Sequence, residues 1–205
     1  MSNAKNTSRC PYLPPSEMNT AQRDIYDEVA PALADKYGDQ FVHTLPDGSL
    51  TGPLNVHLKT PDLYRPFWNL IGKVFTQPGL TETMLEVIIL NIASPNHYDC
   101  KYMRYAHIRV AKAVGLDENI RKAVANGEKG SGPGWDLRLD LTWEISTSML
   151  ESRGNIPSQL WNKAKQELGE QSLLAIVQVA AAYQYQANLL NAHRQEIPPG
   201  EELLA

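Results

Sequence analysis

Cys100, Met103 and His107 stand at i, i+3 and i+7, a spacing that puts three side chains on one face wherever the chain is helical. A thiol and an imidazole sharing a face have a definite chemistry. By accepting a hydrogen bond from Cys100, directly or through water, His107 would stabilise a thiolate and make that sulfur oxidisable. Glu86 adds a carboxylate suited to orienting the imidazole as an acid/base partner. The imidazole and carboxylate also suffice without the sulfur: with His97, Tyr98 or Tyr102 they suit proton transfer at an enolisable carbonyl, the chemistry of a decarboxylase or isomerase. Tyr98, Tyr102, Met103, Tyr183 and Asn191 are therefore candidate substrate-binding residues, and Gln186 is a further polar group fit to line an apolar pocket. The competing structural reading makes Cys100 a small buried hydrophobe, His107 a satisfied core histidine, Met103 ordinary packing, and His97 and Tyr98 part of a solvated loop. His57 and His193 read as surface or cap residues. His97, Cys100 and His107 offer two nitrogens and a sulfur to zinc, but they straddle a helix start and have no evident fourth partner. No metal and no cofactor is expected.

The elements that must hold these groups are helical. Ile25, Val29, Leu33 and Tyr37 recur at helical spacing behind Asn19 or Thr20 as cap. Gly38 to Val56 contains Pro46-Asp47-Gly48 and Gly52-Pro53 and reads as a loop that covers a site. Thr60-Pro61-Asp62 opens a helix to about Phe75, with Leu63, Phe67 and Leu70 on its apolar face. Thr81 caps a strongly apolar helix through Met84, Leu85, Ile88, Ile89 and Ile92, from which Glu86 projects. After the Ser94-Pro95-Asn96 break, a helix from about Asp99 to Val114 carries Cys100, Met103 and His107 and stops at Gly115. Further helices follow from Asp117 to about Gly127, Trp135 to Arg153, Pro157 to Leu168 and Gln171 to about Ala192. The last is apolar on several sides, so it should be buried. No segment alternates with period two and no repeat is evident, so the fold class is all-α.

Composition narrows the function classes. A chain of 205 residues with 42% hydrophobic content suits one core. Residues 1–15 hold Pro11, Pro14 and Pro15 among polar residues and read as an extended arm; residues 16–205 form the helical domain. A formal charge of −4, from 19 basic and 23 acidic side chains, gives no general attraction to nucleic acid or an anionic membrane surface. Leu173 to Tyr183 is too short an apolar run to span a bilayer, and the opening residues lack the apolar core of a secretory signal. With two cysteines, a cytoplasmic protein without structural disulfides is expected.

Gly52-Pro53-Leu54-Asn55 followed by Thr60-Pro61-Asp62-Leu63 resembles the opening motif of carboxymuconolactone decarboxylase-like proteins. Leu85 to Leu90, Tyr102 with Tyr105-Ala106-His107, Ala113 to Leu116, then Tyr183 and Leu190-Asn191-Ala192 follow in the order that family shows them. The resemblance extends over about residues 20–200 and includes the related alkylhydroperoxidase D branch. It implies an alkylhydroperoxidase D-like helical bundle of about seven to eight helices, assembled as a homotrimer or homohexamer.

That branch works through a Cys-x-x-Cys pair, a following histidine and a glutamate one helix earlier. Here Cys100 holds the first cysteine position and His107 the histidine position, but Met103 replaces the second cysteine, and a thioether cannot form the recycling disulfide. Glu86 precedes His107 by 21 residues, slightly more than the family spacing. The branch without a cysteine pair usually has an acidic residue and a tryptophan where this chain has Met103 and Arg104, and an arginine where it has Leu85. The resemblance implies first a small-molecule enzyme using acid/base chemistry on an oxygenated organic acid or lactone, with Glu86, Cys100 and His107 as the candidate catalytic set. A thiol-dependent peroxidase acting through one cysteine is the second implication, and a non-catalytic binding protein the third.

Overall fold

The computed structural model describes residues 8–204. Within them nine α-helices follow a single 3-10 turn, Pro15–Glu17, with one isolated β-bridge, Thr44 to Leu50, between the first two helices. Helix α1, Thr20–Tyr37, begins in a reciprocal cap: Asn19 Oδ1 accepts from the Gln22 amide, and the Asn19 amide donates to Gln22 Oε1, both at 3.0 Å. Helix α2, Gly52–Leu58, lies inside the segment expected to be a loop and raises the helix count above seven to eight. Gly52-Pro53 marks a helix start there rather than a turn: proline at the first turn loses no intrahelical bond, and the following residues are almost all buried.

Helix α3, Pro61–Phe75, buries Tyr64, Ile71 and Val74, whereas Leu63 and Leu70 are 57% and 52% exposed. The expected face was therefore the wrong one for two of its three residues. The same i, i+4, i+7 spacing runs through 63-67-70 and 64-68-71, and periodicity alone does not say which stripe turns inward. Thr60 occupies the cap position without a side-chain cap bond.

Helix α4, Glu82–Ala93, is the hub. Thr81 caps it through the Met84 amide, and every residue from Met84 to Ala93 is buried. Around it pack α5, Lys101–Ala113; α6, Glu118–Ala125; α7, Leu137–Glu151; and α9, Glu170–Ala192, with α8, Ser158–Leu168, closing against α7 and α9. Asp117 and Asp136 cap α6 and α7 with their side chains, and positive-φ glycines at 115 and 154 mark the turns after α5 and α7. Helices α1, α2 and α3 form a second layer over α9, with a smaller core of Ile25, Leu50, Leu54, Leu58 and Tyr64. Among the described residues no helix is long and apolar enough to cross a membrane.

Of the expected arm, residues 1–7 lie outside the described residues. Residues 8–14 carry no helix or strand and run along α2 and the end of α9 of the same chain. The Arg9 amide donates to the His193 carbonyl at 2.8 Å, and buried Asn55 donates to the Cys10 and Pro11 carbonyls while accepting from the Leu13 amide, each at 3.2 Å.

Candidate functional site

The two layers do not close completely on each other. Between α1 and α3 on one side and α5 and α9 on the other lies a cavity of about 360 Å³, within the size range of small-molecule sites. Helix α5 contributes Tyr102, Met103, Ala106 and His107, adjacent pairs one turn apart, and α9 contributes Tyr183, Gln186 and Leu190. Lys36 and Tyr37 from α1 face Trp68 and Phe75 from α3 across it. Glu28 and Arg65, also in the wall, form an ion pair linking α1 to α3.

His107 Nδ1 lies 2.9 Å from Glu86 Oε2. Glu86 is 5% exposed, in the middle of α4, and reaches His107 across the α4–α5 contact. The backbone explains the pairing despite the long spacing in sequence. The Cys100 amide donates to the Ala93 carbonyl at 3.0 Å, closing the intervening turn, in which Asp99 takes φ of 44°. Glu86 lies seven residues before that closure and His107 seven after it, so each stands about two helical turns away along paired helices. Residues 94–99 form the loop between the two helices, outside this register. A carboxylate only accepts, so Nδ1 carries the proton in the pair, and in the neutral form of the ring Nε2 is the nitrogen with the free lone pair.

The ring of Tyr183 meets His107 edge-on at 5.4 Å and stacks on Phe75 at 5.8 Å, so the imidazole is flanked by an apolar aromatic wall. Burial first, then the nearby Tyr37 and Glu86, raise the Tyr183 phenol well above its usual range, so its hydroxyl keeps its proton at neutral pH. Tyr102 is likewise raised by burial, and its hydroxyl is held 2.7 Å from Thr51 Oγ1. Met103 is 3% exposed and supplies apolar wall.

Tyr102, Met103, His107 and Tyr183 thus line one cavity, with Glu86 bonded to His107 from outside its wall, whereas Cys100, Tyr98 and Asn191 do not line it. Cys100 occupies the cap position of α5, one residue before the helix proper, is 1% exposed, and its thiol is pushed up to about 11, chiefly by burial. Asn191 Nδ2 donates to the Tyr98 carbonyl at 2.6 Å, so these two join the α4–α5 loop to the outside of α9. His97 is half-buried in the same loop. Among the described residues no three His, Cys, Asp or Glu side chains are grouped to hold a metal ion.

Sequence reasoning passed over His57. It is 1% exposed rather than at the surface, lies 4.7 Å from the Phe67 ring, and is ringed by Tyr64, Trp68 and Tyr185. Its place between Val56 and Leu58 in a dense apolar run was the available signal. His193 is the cap residue of α9, as expected.

No protein-family model matches the chain, and no curated protein matches it. Solved structures do. An alkylhydroperoxidase AhpD core, peroxidase-related protein from Ralstonia eutropha JMP134 superposes with a TM-score of 0.72 at 16% identity, covering 94% of this chain and 93% of that one. A peroxidase-related protein from Silicibacter sp. TM1040 gives 0.74 at 13% identity, covering 97% and 96%. The debrominase Bmp8, solved as a cysteine-to-alanine variant with 2,3,4-tribromopyrrole, gives 0.64 at 14% identity, covering 86% and 89%. Near-complete mutual coverage at such low identity establishes shared architecture: the chain has the alkylhydroperoxidase D-like all-α fold.

Proposed function

We propose that the chain is a small-molecule enzyme of the carboxymuconolactone decarboxylase-like kind, in which His107 carries a proton to and from an oxygenated organic acid or lactone. The observation behind this reading is the Glu86–His107 bond of 2.9 Å at a largely apolar cavity. In it, Glu86 keeps the imidazole in one tautomer and stabilises the imidazolium formed when Nε2 accepts a proton, while the apolar wall excludes water from the reacting carbon. Lys36, whose ammonium lies 5.1 Å from the Tyr37 ring centre in the cavity wall, supplies a positive charge for a carboxylate. The test is deuterium incorporation from heavy water into a panel of lactones and keto acids, followed by proton NMR, with product analysis of any compound that exchanges.

The thiol-dependent route has weaker support. A thiol pushed up to about 11 has about 100-fold less thiolate at neutral pH than one with the ordinary value of 9.0. Cys100→Ser is accordingly expected to leave hydroperoxide consumption unchanged, and iodoacetamide should label native Cys100 at least about 100-fold more slowly than the unfolded chain at pH 7. Rapid sulfenic acid formation at Cys100 would restore the peroxidase reading. The folded chain binds this proton more tightly than the unfolded chain, so the contribution to stability is full below 9.0 and declines as pH rises toward about 11.

The proposal includes a cytoplasmic homotrimer or homohexamer. Both cysteines are free and buried, which suits a reducing compartment. Leu63 and Leu70 on α3, with Leu174 and Tyr185 on α9, are 45–57% exposed and give subunits apolar surface to share. Multi-angle light scattering at micromolar concentration should give a multiple of 22.9 kDa; a monomer mass would remove the assembly.

A further inference from the structure

Gln186 is a buried carboxamide that the proton-transfer pair does not use. It is 3% exposed, lines the cavity, and sits one turn of α9 from Tyr183, the residue whose ring touches His107. Its Oε1 lies 3.1 Å from His57 Nε2. An amide oxygen only accepts, so His57 donates from Nε2, and the amide NH₂ is the end left to the cavity. His57 is itself immobilised among Tyr64, Phe67, Trp68 and Tyr185. Burial lowers its basicity, which keeps it a neutral ring with the one N–H that Gln186 engages.

We propose that Gln186, set by His57, is a catalytic hydrogen-bond donor to the carbonyl oxygen of a compact carbonyl substrate whose acidic C–H faces His107. This rests on the proton-transfer reading of the same site. In the step, the C–H bond next to the carbonyl breaks, its proton goes to His107 Nε2, and the electron pair moves to the carbonyl oxygen as an enolate, which accepts from the Gln186 NH₂. Reprotonation at carbon by the imidazolium restores the ring. A donor aimed where negative charge develops, in a water-poor wall, favours the enolate over the ketone. His57 acts only through Gln186 and is a positioning residue.

The experiment uses two bicyclic probes of one shape, 1-indanone, which carries a carbonyl, and indane, which does not. Affinity is read from tryptophan fluorescence, since Trp68 is in the wall, and the bound carbonyl is read by difference infrared spectroscopy. Gln186→Leu is expected to weaken 1-indanone by about 10-fold, to leave indane unchanged, and to move the carbonyl band to higher frequency. His57→Phe should broaden that band and move it part of the way, a change that mere packing would not produce. Because Gln186→Leu alone strands a buried N–H, the double variant His57→Phe with Gln186→Leu, which removes both partners, provides a second folded background.

An unmoved band with unchanged 1-indanone affinity in these variants would overturn the donor role, as would failure of the wild-type chain to bind 1-indanone. Loss of deuterium exchange at the indanone C2 in His107→Ala, with the wild-type band retained, would support both proposals. Retained exchange in His107→Ala, with the band lost only in the Gln186 variants, would remove the proton-transfer reading and leave the donor in place.

Discussion

His107→Ala is expected to lower turnover of the proposed lactone or keto-acid substrate by about 10²- to 10⁴-fold, the range that a positioned general acid or base contributes. The fold should survive. His107 lines a cavity and its side chain is 18% exposed, so truncation enlarges an existing space more than it opens a hole in the core. Its bonded partner, Glu86, is left with a buried carboxylate, which costs up to about 3–5 kcal/mol; His107→Asn, which can still donate to it, separates that cost from the chemistry. Glu86→Gln keeps a hydrogen bond to the imidazole but removes the charge that balances an imidazolium, so its loss should be smaller than that of His107→Ala. Glu86→Leu removes the orienting bond as well and should approach it. Steady-state rates on purified variants with matched circular dichroism provide the comparison. Full turnover in a folded His107→Ala variant would end the proton-transfer role.

The pairing behind that prediction was half legible in the sequence. Helical periodicity and caps placed Glu86 on one helix and His107 on the next, because Thr81 and the positive-φ glycine at 115 are local signals that tertiary packing did not override. The longer spacing obscured the register. What sets it is one backbone bond, Cys100 to Ala93, which confines residues 94–99 to a loop between the two helices. A residue count cannot distinguish residues inserted in a loop from residues inserted in a helix, and only the second kind turns a side chain away from its partner.

Helix α2 was hidden for a different reason. Gly-Pro suits both a turn and the first turn of a helix, and seven residues carry too little periodicity to decide. Its burial against α9 and α3 supplies what its own propensity lacks. The same element carries His57, so missing the helix also meant missing the support of Gln186. In α3 two stripes share one helical spacing, and the inward one was selected by α1, α2 and α9, which no local pattern encodes. Cys100, by contrast, shared the i, i+3, i+7 spacing with Met103 and His107 but sits at the helix cap, with φ of −83° and ψ of 90°, where that periodicity no longer applies.

Gly52→Ala should be among the most destabilising single-methyl additions in the chain, by about 2–6 kcal/mol when backbone strain and overpacking are combined. Two independent constraints meet there. Gly52 has φ of 57°, which an L side chain adopts with strain, and a Cβ would lie 2.0 Å from Tyr102 Cε1 and 2.1 Å from Cζ. The ring has little room to retreat, since Tyr102 is 3% exposed and its hydroxyl is 2.7 Å from Thr51 Oγ1. For a domain of this size the melting temperature should fall by roughly 5–20 °C, readable by calorimetry. Tyr102→Ala removes the ring and leaves only the backbone strain, so Gly52→Ala in that background should cost less, a coupling that a double-mutant cycle measures. Equal costs in the two backgrounds would show that the ring yields freely and that the approach of α2 to α5 is not what fixes Gly52. Unequal costs would tie Gly52 to the cavity itself, because the displaced ring is one of its walls and any variant that folds should then bind the 1-indanone probe more weakly.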